Sequence, residues 1–170
     1  MEHLLRIEHL GIAVRDLDAA EEIYSRLLGE VPYKREEVAT EGVITSFFKV
    51  GQNKIELLRS ITPDGPIARA IEKRGEGIHH VAFEVADIRA EMARLKQLGF
   101  QLLSDGPKQG ADNKLVCFVH PKTTNGVLVE LCQEIDKVHV ERAHAMVEKR
   151  EHEAEEKEVE DLIDPKAIVP

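Results

Sequence analysis

The sequence predicts an α+β fold built from two copies of one β-α-β-β unit. Residues 7–17 (IEHLGIAVRDL) match residues 78–88 (IHHVAFEVADI) without a gap, with a His at the third place and an Asp at the tenth place of each copy. The copies also end alike, with IELL at 55–58 and VELC at 129–132. Because both ends match in the same order, an internal duplication explains the pattern better than chance does.

Each copy opens with a strand and continues into a helix. In the first copy, Asp18 and Glu21 have the spacing of a capping box, and Gly29 is placed to end the helix. The second helix ends near Gly99. The residues at helical spacing on the first apolar face are Ala20, Ile23, Tyr24, Leu27 and Leu28, and those on the second are Ile88, Met92 and Leu95.

Both copies then close with a strand hairpin. The first is predicted for ITSFFKVGQNKIELLRS, with its turn at residues 51–53, and the second for KLVCFVHPKTTNGVLVELCQE, with its turn at residues 121–126. A further short strand is expected at 39–45 or 101–104. A helix at 66–74, starting at Pro66, is expected to join the two copies.

Composition is typical of a globular protein and excludes several partners. Hydrophobic residues make up 42% and charged residues 32%. We expect no membrane partner, because no apolar run approaches the roughly 20 residues that span a bilayer. We expect no nucleic-acid partner, because the body has no basic stripe. Cys117 and Cys132 lie in apolar strand segments and, with no signal-peptide pattern at the N-terminus, predict two core thiols in a cytoplasmic protein.

The acidic surplus is concentrated in the C-terminal segment. The net charge of −9 comes mostly from residues 133–170, which hold 6 basic and 12 acidic side chains. A thin apolar stripe through Ile135, Val138 and Met146 suggests a charged helix there. The predicted organisation is therefore one domain over residues 1–133 and a charged C-terminal helical tail over 134–170.

Strand alternation assigns the two repeated histidines to one kind of surface. His9 shares its strand face with the small residues Gly11 and Ala13, and His80 shares its face with Ala82. Small residues suit a sheet that curves around a cavity. His79 falls on the opposite, core-facing side of its strand in this scheme.

The closing strands add one carboxylate each. Glu56 and Glu130 lie inside apolar segments, where an unpaired carboxylate is costly and needs a charge partner or a metal. A lone His on a strand is more often structural, and a lone Glu more often lies on a solvated edge. These four are matched between the repeats, however, and they supply a ligand set for Co, Mn, Fe, Ni or Zn.

With these positions identified, the chain resembles the vicinal-oxygen-chelate superfamily and, within it, the methylmalonyl-CoA epimerase family. The matching motifs are IEHLGIAV, KIELL, GIHHVAFEV and HPKTTNGVLVEL, and the similarity covers about residues 5–133. The resemblance implies two tandem βαβββ modules, at about 5–62 and 76–133, that form a cupped metal-binding sheet. It also implies a homodimer.

The resemblance further implies one divalent metal ion, Co(II) first and Mn, Ni, Zn or Fe as alternatives. The implied ligands are His9, Glu56, His80 and Glu130. Some relatives have Gln in place of Glu56.

The implied substrate is a CoA thioester, and the implied reaction is epimerisation at C2 of methylmalonyl-CoA. Glu130 is the implied base as well as a ligand, and a metal would stabilise the charge that develops when the C2 proton leaves. Thr45 stands where some relatives have a second Glu, so the second proton donor is expected to be a water or a residue such as Glu84. Lys122 and Lys108 are candidate substrate-binding residues.

Three other functions remain open at this point. A glyoxalase-type lyase would use a similar ligand set on a glutathione hemithioacetal. An extradiol dioxygenase would need a site of two His and one carboxylate, which Glu56 as a fourth ligand disfavours. A non-catalytic small-ligand-binding protein of the same superfamily would not need a complete metal set.

Overall fold

The structure, a computed structural model, describes residues 3–135. The charged helix predicted for residues 134–170 therefore lies almost entirely outside the described residues. Within them, the chain forms eight strands and three α-helices in two βαβββ modules, which confirms the predicted fold class.

The first module holds β1 to β4 and the helix α1. Its elements, with the linking helix α2, are β1 (Arg6–Ala13), α1 (Leu17–Leu28), β2 (Lys34–Val38), β3 (Val43–Val50), β4 (Asn53–Ser60) and α2 (Pro66–Arg74). The second module repeats this order. Its elements are β5 (Gly77–Glu84), α3 (Ile88–Gln97), β6 (Lys108–Gln109), β7 (Lys114–Val119) and β8 (Val129–Glu134).

The further short strand of each module is not where the sequence pattern placed it. In the first module the strand is β2, because residues 39–41 form a 3-10 turn that ends at Gly42 with a φ of 67°. In the second module it is β6, and Leu102 makes one isolated bridge to Val119.

The predicted start of the first helix, at Asp18, is also wrong. The cap of α1 is Asp16, whose Oδ1 accepts a hydrogen bond from the amide of Ala19 at 3.1 Å. Asp87 caps α3 in the same way, accepting from Arg89 and Ala90. The Asp that repeats between the two copies is therefore the N-cap residue of both helices.

All eight strands of the described chain belong to one curled sheet with the order β2-β3-β4-β1-β5-β8-β7-β6. The modules meet at its centre, where β1 and β5 pair antiparallel. On either side a parallel pair follows, β1 with β4 and β5 with β8. The first and last strands of each module thus occupy the centre of the sheet.

The helices α1 and α3 pack against one face of this sheet, whereas α2 packs against Ala13, Val43 and Leu58 on the other face. The cluster under α1 includes Leu17, Phe48 and Leu57, and the cluster under α3 includes Ile88 and Leu131. Alternation then turns the neighbours of these strand residues to the opposite, concave face.

Two residues of the predicted apolar face of α1 are not in the core. Ile23 is 53% exposed and Leu27 is 72% exposed, whereas Leu17 is buried in their place. Cys117 and Cys132 are buried free thiols, as predicted.

The two aspartate caps give a stability prediction. We expect Asp16→Ala and Asp87→Ala each to lower the free energy of unfolding by about 1 kcal/mol, because amides of the first helical turn lose their acceptor. Urea unfolding followed by circular dichroism measures this. Asp18→Ala is the matched control, since Asp18 is an exposed partner of Arg35 and should cost less. Equal losses in Asp16→Ala and Asp18→Ala would contradict the assignment.

Candidate metal centre

Two sets of directly opposed residues on the central strands build the site. On β1, Gly11 lies opposite His80 of β5 and opposite Glu56 of β4. On β5, Ala82 lies opposite His9 of β1 and Glu130 of β8. Opposed residues share a sheet face, so each small residue leaves space between an imidazole and a carboxylate.

The four side chains converge as the sequence predicts. The Nε2 atoms of His9 and His80 are 2.9 Å apart. Oε2 of Glu56 lies 3.2 Å from Nε2 of His9 and 3.3 Å from Nε2 of His80. Oε2 of Glu130 lies 3.3 Å from Nε2 of His80 and 3.9 Å from Nε2 of His9. All four residues are buried.

This cluster fits a divalent metal ion in spacing and in charge. With metal–ligand bonds of about 2.0–2.2 Å, neighbouring ligand atoms of one ion lie about 3.0–3.4 Å apart, which is the range of most of these distances. Two buried carboxylates beside two neutral imidazoles carry two negative charges, which a divalent cation would balance. Imidazole and carboxylate donors suit several first-row ions, so the donor set alone does not select the metal.

Each imidazole of the cluster contacts the side chain of the residue that precedes it. Oε2 of Glu8 lies 2.6 Å from Nδ1 of His9, and Nδ1 of His79 lies 3.1 Å from Nδ1 of His80. Such contacts leave Nε2 of each ring for the metal and fix the orientation of the ring.

Strand alternation did not predict these two contacts, and it placed His79 in the core-facing set. The structure instead puts both Glu8 and His79 in the wall of the cavity. The cause is a pair of register shifts in the β1–β5 pairing, between Ile7 and His9 and between Gly11 and Ile12. Glu8 and His79 are the extra residues at these irregularities, and a bulge breaks alternation.

The pKa values of His9, Glu56 and Glu130 are shifted in different directions within the cluster. Burial opposes a charge on His9, but hydrogen bonds with Glu56 and Glu8 outweigh it and raise the pKa of His9 to about 10. Burial also opposes ionisation of Glu56, yet hydrogen bonds with His80 and His9 lower its pKa to about 2. For Glu130 burial prevails and raises the pKa, and the nearby charges of Glu56 and Glu41 act in the same direction. Glu130 therefore binds a proton more readily than an ordinary carboxylate does.

A buried ion network stands behind Glu8. The ammonium of Lys54 lies 2.6 Å from Oε1 of Glu8 and 2.7 Å from Oδ2 of Asp112, and the ammonium of Lys114 lies 3.3 Å from Oε1 of Glu8. Tyr33 donates a hydrogen bond to Asp112 at 2.8 Å. Because these groups come from both modules, the network ties the loop before β7 to strands β1 and β4.

A cavity of about 380 Å³ opens above the cluster. Lys108 lies in its wall, as its predicted substrate role requires, and pairs with Glu41 at 2.8 Å. Thr45 is a buried wall residue whose hydroxyl donates to the carbonyl of Glu36 at 3.5 Å.

Two other candidates lie elsewhere in the structure. Glu84 is outside the cavity wall, where its carboxylate accepts a hydrogen bond from Arg6 at 2.6 Å. Lys122 is exposed in the turn after β7 and is not a wall residue. Its role in substrate binding stays a prediction.

Substitution of Gly11 tests whether the position of the His80 ring is required for metal binding. A Cβ at this position would lie 2.2 Å from Cε1 of His80, closer than any real contact, so Gly11→Ala must displace the ring. We expect at least a tenfold loss of Co(II) affinity, measured by calorimetry. Ala82→Gly, at the matched position of β5, removes a methyl group and should retain the affinity more nearly. Unchanged binding in Gly11→Ala would show that His80 is not a ligand in this orientation.

Known proteins are similar to this chain in sequence and in structure. The profile of the glyoxalase/bleomycin resistance protein/dioxygenase superfamily matches residues 8–118. The ethylmalonyl-CoA/methylmalonyl-CoA epimerase of Cereibacter sphaeroides is 44% identical over 130 residues, which are 75% of this chain and 97% of that protein.

The fold of the described chain is also similar to that of solved methylmalonyl-CoA epimerases. The crystal structure of methylmalonyl-CoA epimerase from Mycobacterium tuberculosis superposes with a TM-score of 0.77 at 32% identity, covering 82% of this chain and 95% of that one. A methylmalonyl-CoA epimerase in complex with methylmalonyl-CoA and NH4+ superposes with a TM-score of 0.75 at 35% identity, covering 78% and 96%. The chain therefore belongs to the glyoxalase/bleomycin resistance protein/dioxygenase superfamily and, within it, to the methylmalonyl-CoA epimerase family.

Proposed function

We propose that this chain is an isomerase that epimerises methylmalonyl-CoA at C2 with the help of one divalent metal ion. The observation that carries the proposal is the convergence of His9, Glu56, His80 and Glu130 at the base of a cavity, in a chain of this family. The solved relative that holds methylmalonyl-CoA supports the same substrate for this chain.

The cavity suits the reacting end of such a substrate. Its volume of about 380 Å³ is enough for a malonyl-type acyl group and the thioester, while the rest of CoA is larger and must extend outside. Phe47, Leu58 and Phe118 supply apolar wall surface that excludes water from the acyl group. We propose Lys108 at the wall, and Lys122 in the exposed turn after β7, as partners for the anionic groups of the thioester.

The chemistry requires removal and return of an acidic C–H proton. A divalent ion held by the four ligands would supply Lewis-acid stabilisation of the negative charge on the thioester oxygen. Glu130 has the properties of the proton acceptor, because its burial raises its pKa. Its Oε2 faces the imidazoles, which leaves Oε1 to carry the transferred proton.

The finer properties of the protein are also proposals. We propose Co(II) as the metal, with Mn, Ni, Zn or Fe as alternatives that the donor set accepts equally. We propose a homodimer, and the exposed apolar side chains of Leu27, Val31 and Ile78 are surface that an interface would cover. No helix among residues 3–135 is long and apolar enough to span a bilayer. We propose a cytoplasmic location.

Metal binding should release protons. His9 must be neutral to bind a metal, and the pKa of about 10 in the metal-free cluster means that it carries a proton at pH 7.5. We therefore expect release of about one proton per Co(II) bound, and an apparent affinity that rises with pH because fewer protons compete. Calorimetry in buffers with different ionisation enthalpies measures the number of protons released per Co(II) bound. A binding enthalpy that does not depend on the buffer would contradict it.

The reaction itself is tested in deuterated buffer. We expect metal-loaded protein to convert (2S)-methylmalonyl-CoA to the 2R epimer with deuterium uptake at C2, followed by mass spectrometry and chiral analysis. Glu130→Gln should lower the rate at least 100-fold, because the amide cannot accept the proton. Glu134→Gln, four residues further along β8, is the matched control. Absence of uptake with every divalent ion would exclude the epimerase and favour a lyase or a ligand-binding protein.

A further inference from the structure

Inversion at C2 needs proton-transfer groups on both faces of that carbon, and this requirement rests on the proposed function. Glu130 acts on one face only. If the second group is a side chain and not a water, it must line the cavity, titrate, and not already be committed to the metal cluster or to the ion network behind it.

The described wall of the cavity leaves few groups of this kind. The titratable wall side chains other than the four ligands are Glu8, Glu41, Lys54, His79, Lys108, Asp112 and Lys114. Four of them belong to the ion network that joins Glu8 to Asp112. His79 is held against His80. Glu41 and its partner Lys108 remain.

The position of Glu41 suits contact with a substrate. It ends the 3-10 turn between β2 and β3, so it belongs to the first module, whereas Glu130 lies on the last strand of the second. Its side chain is 19% exposed in the cavity wall, and its Oε1 is enclosed with the ammonium of Lys108 as its ion-pair partner. A carboxylate that reaches the cavity wall can exchange a proton with a molecule bound in the cavity.

The carboxylate of Glu41 forms an ion pair with Lys108. Its ammonium lies 2.8 Å from Oε1 of Glu41 and is itself 48% exposed. This ion pair fixes the position of the Glu41 carboxylate in the cavity wall. Because the lysine side chain is half exposed, it can move when a substrate enters.

We propose that Glu41, with Lys108 as its partner, is the second acid/base of the site. In one direction the carboxylate of Glu41 takes the C2 proton, and the C–H electron pair moves into the C1–C2 bond while charge develops on the thioester oxygen. The O–H of Glu130 then gives its proton to the opposite face of C2, and a new C–H bond forms. In the reverse direction the two glutamates exchange roles, so no other reactant is needed.

The test follows exchange and inversion separately from each pure epimer in D2O, with the Co(II)-loaded chain and Glu41→Gln. For the variant we expect inversion to fall at least 100-fold from both epimers. One epimer, whose C2 proton faces Glu130, should still exchange that proton for deuterium with retention of configuration. The other should exchange at least 100-fold more slowly. A merely structural role would not produce this stereochemical difference.

Two further variants make the result specific. Glu37→Gln changes an exposed carboxylate on β2 and should leave both rates unchanged. Lys108→Gln removes the partner but not the acid/base, so it should slow inversion less than Glu41→Gln does. Circular dichroism and Co(II) calorimetry on each variant establish that the fold and metal site are retained, and Glu41→Ala, which also removes the carboxylate, replaces Glu41→Gln if that variant does not fold.

The outcomes separate this inference from the proposed function. Inversion at the wild-type rate in Glu41→Gln, with an active wild-type chain, overturns the role of Glu41 alone. A larger loss in Lys108→Gln than in Glu41→Gln also overturns it. A wild-type chain that neither exchanges nor inverts overturns the proposed function, and the role of Glu41 with it.

Discussion

The antiparallel pairing of β1 with β5 is the contact on which the rest of the site depends. It sets Gly11 opposite His80 and Ala82 opposite His9, so that the two modules contribute equivalent halves of the cluster. Parallel neighbours β4 and β8 then bring Glu56 and Glu130 to the same two rows. A slip of one residue would turn both histidines toward the helices, where leucine and phenylalanine side chains fill the core. The apolar clusters on that face therefore fix the strand register that brings the two histidines and two glutamates together.

The same arrangement creates an electrostatic cost that a metal would relieve. Without a cation, protons must balance two buried carboxylates, and the strongly raised pKa of His9 is one expression of this. A divalent cation bound at this cluster would balance the two carboxylates in place of the protons. It also stabilises the folded chain by RT ln(1 + [L]/Kd), because the unfolded chain does not hold the four ligands together. Metal binding at this cluster would thus link the proposed function to the stability of the sheet.

The duplication made much of this predictable from the sequence. His9, His80, Glu56 and Glu130 were found because they repeat, and Asp16 and Asp87 repeat because each caps a helix. Glu8 and His79 could not be placed, since strict alternation assigns them to the wrong face and a bulge cannot be recognised from hydrophobic pattern alone. The contact of Lys54 with Asp112 joins residues 58 positions apart, and no local signal in the sequence indicates it.

The two halves are alike at the metal cluster but differ in the walls above it. Glu8 meets His9 with a carboxylate, whereas His79 meets His80 with a second ring. Glu41 comes from the first module and Lys108 from the second, and Thr45 is a buried residue of the same cavity wall. A symmetric cluster can hold an ion, but a substrate with a carboxylate on one side of C2 and a thioester on the other needs different groups around it. Under the proposed function, divergence of the walls around a retained cluster would allow a duplicated sheet to bind an asymmetric molecule in one orientation.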